Sequence, residues 1–281
     1  MERARKPAVA GMFYQVDPNS LRAQLEGCFL SSLGPGSLPK VNPKGEHRII
    51  GLISPHAGYM YSGPVAAHGF HRLARDQESK LAIILGPNHS GIGSPVAISK
   101  RVWNMPLGSV EIDSEVAQEI ESSPAINEDE MAHIREHSIE VQLPFLQYLY
   151  GPRFKFVPIC MLEQSLETSL KVGEILAEAL KRREAIIIAS TDFTHYEPHS
   201  QAQKKDKKAL QAILELDPHK LDAVVKDLSI TMCGTGPVMV MLTACRILGA
   251  KEAKLISYIT SGDVTGDFGA VVGYASLVVL K

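Results

Sequence analysis

Short apolar segments bounded by glycine, proline or polar residues restrict the fold of this chain more than any other feature. Six of them are recognisable, at 49–53, 81–85, 155–159, 185–189, 254–259 and 270–280. Runs of this kind suit strands that are buried on both faces of a sheet. Amphipathic segments of helical length lie among them, at 63–75, 139–150, 166–182, 201–216 and 236–248, with a first helix near 21–30. The alternation predicts an α/β fold, with helices layered on both sides of a central parallel or mixed sheet.

The domain organisation follows from length and composition. The chain has 281 residues, of which 45% are hydrophobic and 21% are charged, values typical of a globular protein. Its longest break is the segment 31–48, rich in Gly, Pro and Ser, which predicts a surface loop after the first helix. Because no later shift in composition marks a boundary, we expect residues 1–281 to form a single domain.

Charge and hydropathy argue against two classes of partner. The formal net charge is −2 and no long basic block is present, so we expect no nucleic acid partner. No apolar segment reaches the roughly 18 residues needed to cross a bilayer, and the first residues lack the apolar core of a signal peptide. These features predict a cytoplasmic protein without a membrane partner. The four cysteines form no CxxC pair, which argues against a zinc ribbon.

Three of the apolar segments run directly into a histidine. The stretches "IIGLISPHAGY", "LAIILGPNHSG" and "AIIIASTDFTHY" deliver His56, His89 and His195 just beyond a predicted strand. Ligands of open α/β sheets bind beyond the carboxyl ends of the strands, and parallel strands would bring these loops to one edge. The pattern therefore predicts a shared functional site, although a single histidine after a strand is more often an ordinary loop residue.

Three further residues are candidates for this site. His137 precedes a predicted helix, where the helix dipole favours a neutral imidazole that can bind metal or accept a proton. Cys233 lies near the start of another predicted helix, which would favour its thiolate as a nucleophile or a ligand. Asp192, three residues before His195, can form an acid–base pair with that histidine or orient it. His137 also has a structural interpretation as a helix cap, and Cys233 as a buried, inert side chain.

Five segments in a fixed order resemble the signature segments of the Memo family: "PHAGYMYSG", "LGPNH", "EHSIEVQLPFL", "STDFTHY" and "CGTGP". The early "RKPAVAGMFY" and the late "YITSGD" and "VVGYAS" are similar to that family as well. The resemblance implies one three-layer α/β/α domain with a central mixed sheet, like the class III extradiol ring-cleavage dioxygenases (LigB-like).

The resemblance also implies a metal site. Its ligands fall on His56, His89 and Cys233, with iron as the expected metal and copper or zinc as alternatives. The neighbouring positions fall on His137, Asp192 and His195, to which we assign catalytic roles. From the residues alone a second ligand set stays open, in which Asp192 replaces Cys233 to give two histidines and one carboxylate. We expect Phe13 and Tyr61 to form walls of the pocket.

Three functions are compatible with these residues. The first is a metal-dependent, dioxygenase-like oxidoreductase that acts on a small molecule. In the second, the same pocket binds a small ligand or a peptide without a reaction. The third is a hydrolase in which Cys233 is the nucleophile and His195 the base. The resemblance further implies a functional link to AMMECR-type and radical-SAM proteins.

Overall fold

The fold is built on one mixed sheet of nine strands. The computed structural model describes residues 4–76 and 78–281. Its strands are β1 Ile49–Ser54, β2 Leu81–Pro87, β3 Val96–Ile98, β4 Trp103–Met105, β5 Gly108–Val110, β6 Asn127–Glu128, β7 Lys155–Met161, β8 Ile186–Ser190, β9 His195–Glu197, β10 Glu252–Thr260 and β11 Val271–Leu280. The strand order is β10-β11-β1-β8-β2-β7-β3-β6, with β9 paired to β11, whereas β4 and β5 form a separate hairpin.

The helices are α1 Pro18–Leu30, α2 Tyr59–Asp76, α3 Ser114–Glu121, α4 Met131–Ile134, α5 Leu143–Tyr150, α6 Leu166–Leu180, α7 His199–Leu214, α8 Pro218–Asp227, α9 Thr235–Ile247 and α10 Ser261–Thr265. Within the described ranges, none of them is long and apolar enough to span a bilayer. The segment 31–48 carries neither helix nor strand, as predicted.

The centre of the sheet is parallel. Strands β1, β8, β2 and β7 run in the same direction and pair in register, with Leu52 opposite Ile188 and Ile84 opposite Ile188 on its other side. On the outer side of β1, β11 runs antiparallel, and β10 pairs with β11 in turn. The sheet is therefore mixed, as the resemblance implied, and its parallel part contains three strands that lead to candidate site residues.

Helices cover both faces of the sheet, because consecutive residues of β1 contact opposite layers. A methyl group on Gly51 would lie 3.0 Å from Cys245 Sγ of α9, and one on Gly69 of α2 would lie 2.5 Å from Leu52 Cδ1. Every residue of β1, β2 and β8 is buried, which explains their continuously apolar sequences. The predicted three-layer α/β/α class is thus confirmed.

The predicted helix 139–150 differs from the structure at its start. Residues Glu140–Gln142 form a 3₁₀ turn, and α5 begins only at Leu143. Pro144 occupies the first turn of α5, where its missing N–H would have no intrahelical partner and its ring would disturb a continuing helix. The break matters for the site, since it places Glu140 and Gln142 among buried residues beside it.

Candidate metal centre

The carboxyl ends of β1, β8 and β2 meet at one edge of the sheet. Two residues beyond these strands lie His56, Asp192 and His89. His195 lies further along and opens β9. These four residues, together with His137 and Cys233, line one cleft of about 590 Å³. The strand ends thus converge as expected. Beyond β8, the position equivalent to those of His56 and His89 is occupied by Asp192 and not by His195.

Three imidazoles converge in the cleft. Ligand atoms of His56, His89 and His137 all lie within 4.8 Å of one another. The ring of His89 stacks on that of His137 with 4.6 Å between centroids, while His56 meets both rings edge-on. With metal–nitrogen bonds of about 2 Å, two ligand atoms of one ion lie at most about 4 Å apart, so small side-chain rotations would complete the site. These three histidines can therefore hold a metal.

The hydrogen bonds around His56 fix its tautomer. Ser190 Oγ donates its only proton to the carbonyl of Ser138 at 2.6 Å and accepts from Gln142 Nε2 at 2.8 Å. At 2.9 Å from His56 Nδ1, the hydroxyl can therefore only accept, so Nδ1 carries the proton. The lone pair of His56 is on Nε2, which faces Cys233 Sγ at 3.2 Å. Burial, followed by the charge of His137, lowers the pKa of His56 and keeps it neutral.

Glu136 fixes the tautomer of His89 in the same sense. One carboxylate oxygen accepts from His89 Nδ1 at 3.0 Å and from the main-chain N–H groups of His137 and Ser138, and the other accepts from the N–H of His89 at 2.6 Å. Burial alone would raise the pKa of Glu136, but these bonds and the charge of His89 hold it well below its usual range. An ionised carboxylate leaves Nε2 of His89 free to bind metal.

Cys233 lies directly beside this group. Its Sγ accepts from the main-chain N–H of Asp192 at 3.2 Å and can donate to His56 Nε2. Burial and the nearby Asp192 carboxylate raise the pKa of the thiol, so the lowering predicted from the helix N-terminus is wrong. A nearby cation would reverse this effect, since metal binding deprotonates a coordinating thiol.

Asp192 and His195 have separate partners. Asp192 Oδ1 accepts from the main-chain N–H of His56 at 2.9 Å, and burial raises its pKa to about 6 although that hydrogen bond opposes the change. His195 Nδ1 donates to the carbonyl of Thr231 at 2.7 Å, so its Nε2 is an acceptor. Among the hydrogen bonds of residues 4–76 and 78–281, none joins Asp192 to His195.

Aromatic and thioether side chains form the rest of the cleft. The ring of Phe13 lies 4.8 Å from that of His137, and Tyr61 is also part of the lining. Met12, Met60 and Tyr196 lie at the cleft with 73%, 67% and 78% of their surface exposed. Among the described residues of the lining, none is a lysine or an arginine. The cleft is therefore uncharged on its rim and polar at its base.

Sequence reasoning missed the residues that orient the histidines. Glu136, Gln142 and Ser190 are buried polar side chains, and two of them gave a readable signal. A carboxylate directly before His137 is unusual in a buried segment. Gln142 lies in an apolar segment, where a lone amide predicts an internal hydrogen bond. Nothing in the sequence links Thr231 to His195.

These features define a class: an α/β protein with a cleft of uncharged rim, whose base presents two imidazoles of fixed tautomer. Within that class, the profile of the Memo-like proteins matches residues 5–278, and the chain belongs to the Memo family.

Known proteins similar to this chain have matching lengths. A MEMO1 family protein of Methanopyrus kandleri is 50% identical over 278 residues, which are 98% of each chain. Another, of Methanocaldococcus jannaschii, is 47% identical over 288 residues, which are 99% of this chain and 100% of the relative. In fold the chain is similar to an uncharacterized protein of Escherichia coli K12. That likeness has a TM-score of 0.54 and 13% identity, and covers 82% of this chain and 100% of the other.

Proposed function

We propose that this protein binds one transition-metal ion through His56, His89 and Cys233, with His137 in reach as a further ligand. The observation that carries the proposal is the pair of fixed tautomers: Ser190 and Glu136 leave Nε2 of both histidines unprotonated. Without a ligand to bind, the two anchored imidazoles would have no reason to keep their Nε2 lone pairs in one cleft, where that of His56 faces the thiol of Cys233. A set of imidazoles and one thiolate suits iron, copper or zinc, and we propose iron.

The activity we propose is a metal-dependent oxidation or reduction of a small organic molecule, with the metal supplying the redox chemistry. The residues of this chain would bind the substrate and move protons. His195 is the proposed proton acceptor, since Thr231 holds its Nδ1–H and leaves Nε2 free. Asp192 positions His56 through its main-chain N–H, and His137 is the proposed second proton carrier. Phe13 and Tyr61 would exclude water from the bound substrate.

A binding module is the second candidate, and the apolar rim favours it. Met12, Met60 and Tyr196 expose large apolar surfaces around the cleft, as surfaces that bind peptides often do. A Cys233-dependent hydrolase is disfavoured, because burial raises the pKa of the thiol and weakens it as a nucleophile.

Elemental mass spectrometry of anaerobically purified protein tests the proposal. We expect close to one equivalent of iron in the wild type and a loss of metal in His56→Ala, His89→Ala and Cys233→Ser. The control is His219→Ala, which removes an exposed imidazole on α8 and should leave the metal content unchanged. If Cys233→Ser keeps its metal and His137→Ala loses it, the third ligand is His137 and not the thiolate of Cys233. No metal in the reconstituted wild type would refute the proposal and leave the binding module.

Three further expectations stay predictions. They are the single domain over residues 1–281, the cytoplasmic location, and the link to AMMECR-type and radical-SAM proteins. A similarity to ring-cleaving dioxygenases is likewise implied only by the signature segments that the chain shares with the Memo family. Oxygen consumption by iron-loaded protein in the presence of candidate substrates would separate an oxidoreductase from a binding module.

A further inference from the structure

A second cleft lies at the opposite edge of the sheet from the metal centre. Its volume is about 380 Å³, and it lies where the first residue of β1, Ile49, pairs with Leu280 of β11. Because β1 carries His56 beyond its other end, the two clefts are separated by roughly the 20 Å length of a six-residue strand. Five cationic side chains from separate parts of the chain line this second cleft: Lys44, Arg48, Arg72, Arg75 and Lys254.

Two of these five cations have a carboxylate partner. Glu46 forms a long ion pair with Arg48 at 3.8 Å, and Glu252 pairs with Lys254 at 3.0 Å. Asp76 Oδ2 instead accepts from the main-chain N–H of Ile49 at 2.8 Å. Within the described part of the chain, no ion pair is formed by Lys44, Arg72 or Arg75. Among the described residues, three cations of the cleft thus have no ion-pair partner, in a protein whose net charge is −2.

The arginines are not needed to cap α2. The loop before β1 already occupies the last carbonyls of this helix: Asn42 N–H donates to Ala74 at 2.8 Å and its side-chain amide to Arg75 at 3.4 Å, and His47 N–H reaches Asp76. Arg72 and Arg75 are three residues apart and therefore share one face of the helix. Their positive charge affects a neighbouring histidine: burial, and after it the charge of Arg75, lowers the pKa of His71.

We propose that this cleft binds a small molecule that carries a chain of two or more phosphates. Planar guanidinium groups form paired hydrogen bonds with phosphate oxygens, and three arginines are available here. The three cations without an ion-pair partner can offset the charge of a diphosphate near neutral pH. The volume of about 380 Å³ admits a diphosphate and its immediate substituent. The site is independent of the metal centre and of the function proposed for it.

Isothermal titration with pyrophosphate in about 0.15 M salt tests the site, since this salt screens contacts on open surfaces. We expect one saturable site per chain, with an affinity lowered about 50-fold or more in Arg72→Glu/Arg75→Glu. The control pair Lys207→Glu/Lys208→Glu changes the net charge equally on exposed positions of α7 and should bind like the wild type. Thermal melting monitors the fold, and Lys44→Glu on the exposed loop gives a second, independent loss of affinity.

Three outcomes would overturn the proposal: no saturation in the wild type, equal weakening by both charge-reversed pairs, or binding of adenosine without binding of pyrophosphate. Titration with ADP identifies the source of the phosphates. A tighter complex with ADP than with pyrophosphate supports a nucleotide, and equal affinity supports an inorganic or other polyphosphate.

Discussion

The buried carboxylate of Glu140 holds the first described residues of the chain against the domain. It is fully buried and accepts from Arg5 Nη1, Ala8 N–H, Val9 N–H and Tyr14 OH, at 2.7 to 3.0 Å. Glu140→Gln would keep the shape of the side chain, but its amide would place two hydrogens near the donors of Arg5 and Ala8. The substitution would also leave the guanidinium of Arg5, 2% exposed, without its counter-charge.

The expected cost follows from these contacts. Breaking a buried ion pair by removing one charge costs about 3–5 kcal/mol, whereas loss of one neutral partner costs about 1 kcal/mol. We therefore expect Glu140→Gln to lower the free energy of unfolding by about 3–5 kcal/mol and Tyr14→Phe by about 1 kcal/mol. Urea unfolding followed by circular dichroism measures both, and hydrogen exchange at Ala8 and Val9 reports local detachment of this segment.

A double-mutant cycle with Arg5→Met isolates the pair. Because Arg5 and Glu140 contact each other, their substitutions should be non-additive by at least about 1 kcal/mol, with the double variant more stable than the sum of the two changes implies. The reasoning would be refuted by a Glu140→Gln protein that loses no more stability than Tyr14→Phe. The same variant should open the cleft that contains His56 and His89, since Phe13 lies on the anchored segment and its carbonyl accepts from the N–H of Tyr59.

Other predictions concern the site and the core. Glu136→Gln should weaken metal binding about 10–100-fold in a chelator competition, because it loosens the tautomer and orientation of His89. Gly234→Ala should lower the free energy of unfolding by about 1–3 kcal/mol, since its methyl group would lie 2.5 Å from the carbonyl oxygen of Ser190. Gly27→Ala in α1 is the matched control. Its methyl group would meet no atom within 4 Å, and alanine is the better helix former, so it should raise the free energy of unfolding by about 0.5–1 kcal/mol. Burial lowers the pKa of His133 from 6.5 to about 3. The unfolded chain therefore binds a proton between these values that the folded protein excludes, and stability should fall as the pH drops from 6.5 towards 3, by up to about 5 kcal/mol.

Each of these predictions has a clear contradiction. Unchanged metal affinity in Glu136→Gln would mean that the carboxylate serves the fold alone. If Gly234→Ala and Gly27→Ala changed the free energy of unfolding equally, the close contact at Gly234 would not be the cause of the loss. For His133, the comparison is His133→Gln, whose unfolding free energy should depend less steeply on pH in the same window; an identical dependence would assign the acid sensitivity to other groups.

The sequence predicted the buried elements well because burial leaves a continuous apolar signal. The six predicted strands lie within two residues of β1, β2, β7, β8, β10 and β11 at each end. Short strands such as β3 and the edge strand β6 carry too few residues for a period to be read. The helices α3 and α8 were not predicted although signals existed, since Asp113 and Asp217 cap them through side-chain hydrogen bonds.

The site was only partly predictable, for a different reason. The histidines could be found because each follows its own strand in sequence, which is a local property. Their partners depend on which strands are neighbours: Ser190 serves His56 because β8 pairs with β1, and Glu136 reaches His89 from a segment 47 residues away. The pKa of Cys233 could not be predicted either, because burial depends on the packed structure and here outweighs the helix N-terminus.

The position of β11 has a consequence for the way the chain is made. Strand β1 pairs with β8 and β11, which follow it by more than 130 and 210 residues respectively. During synthesis on the ribosome β1 would therefore remain unpaired on both edges, and contacts so distant in sequence form slowly. His56 and His89 emerge early, but the strand that carries His56 is not enclosed until β11 is available. A nascent chain would thus present these two histidines before the proposed site can form, together with an exposed apolar strand edge that requires protection until synthesis is nearly finished.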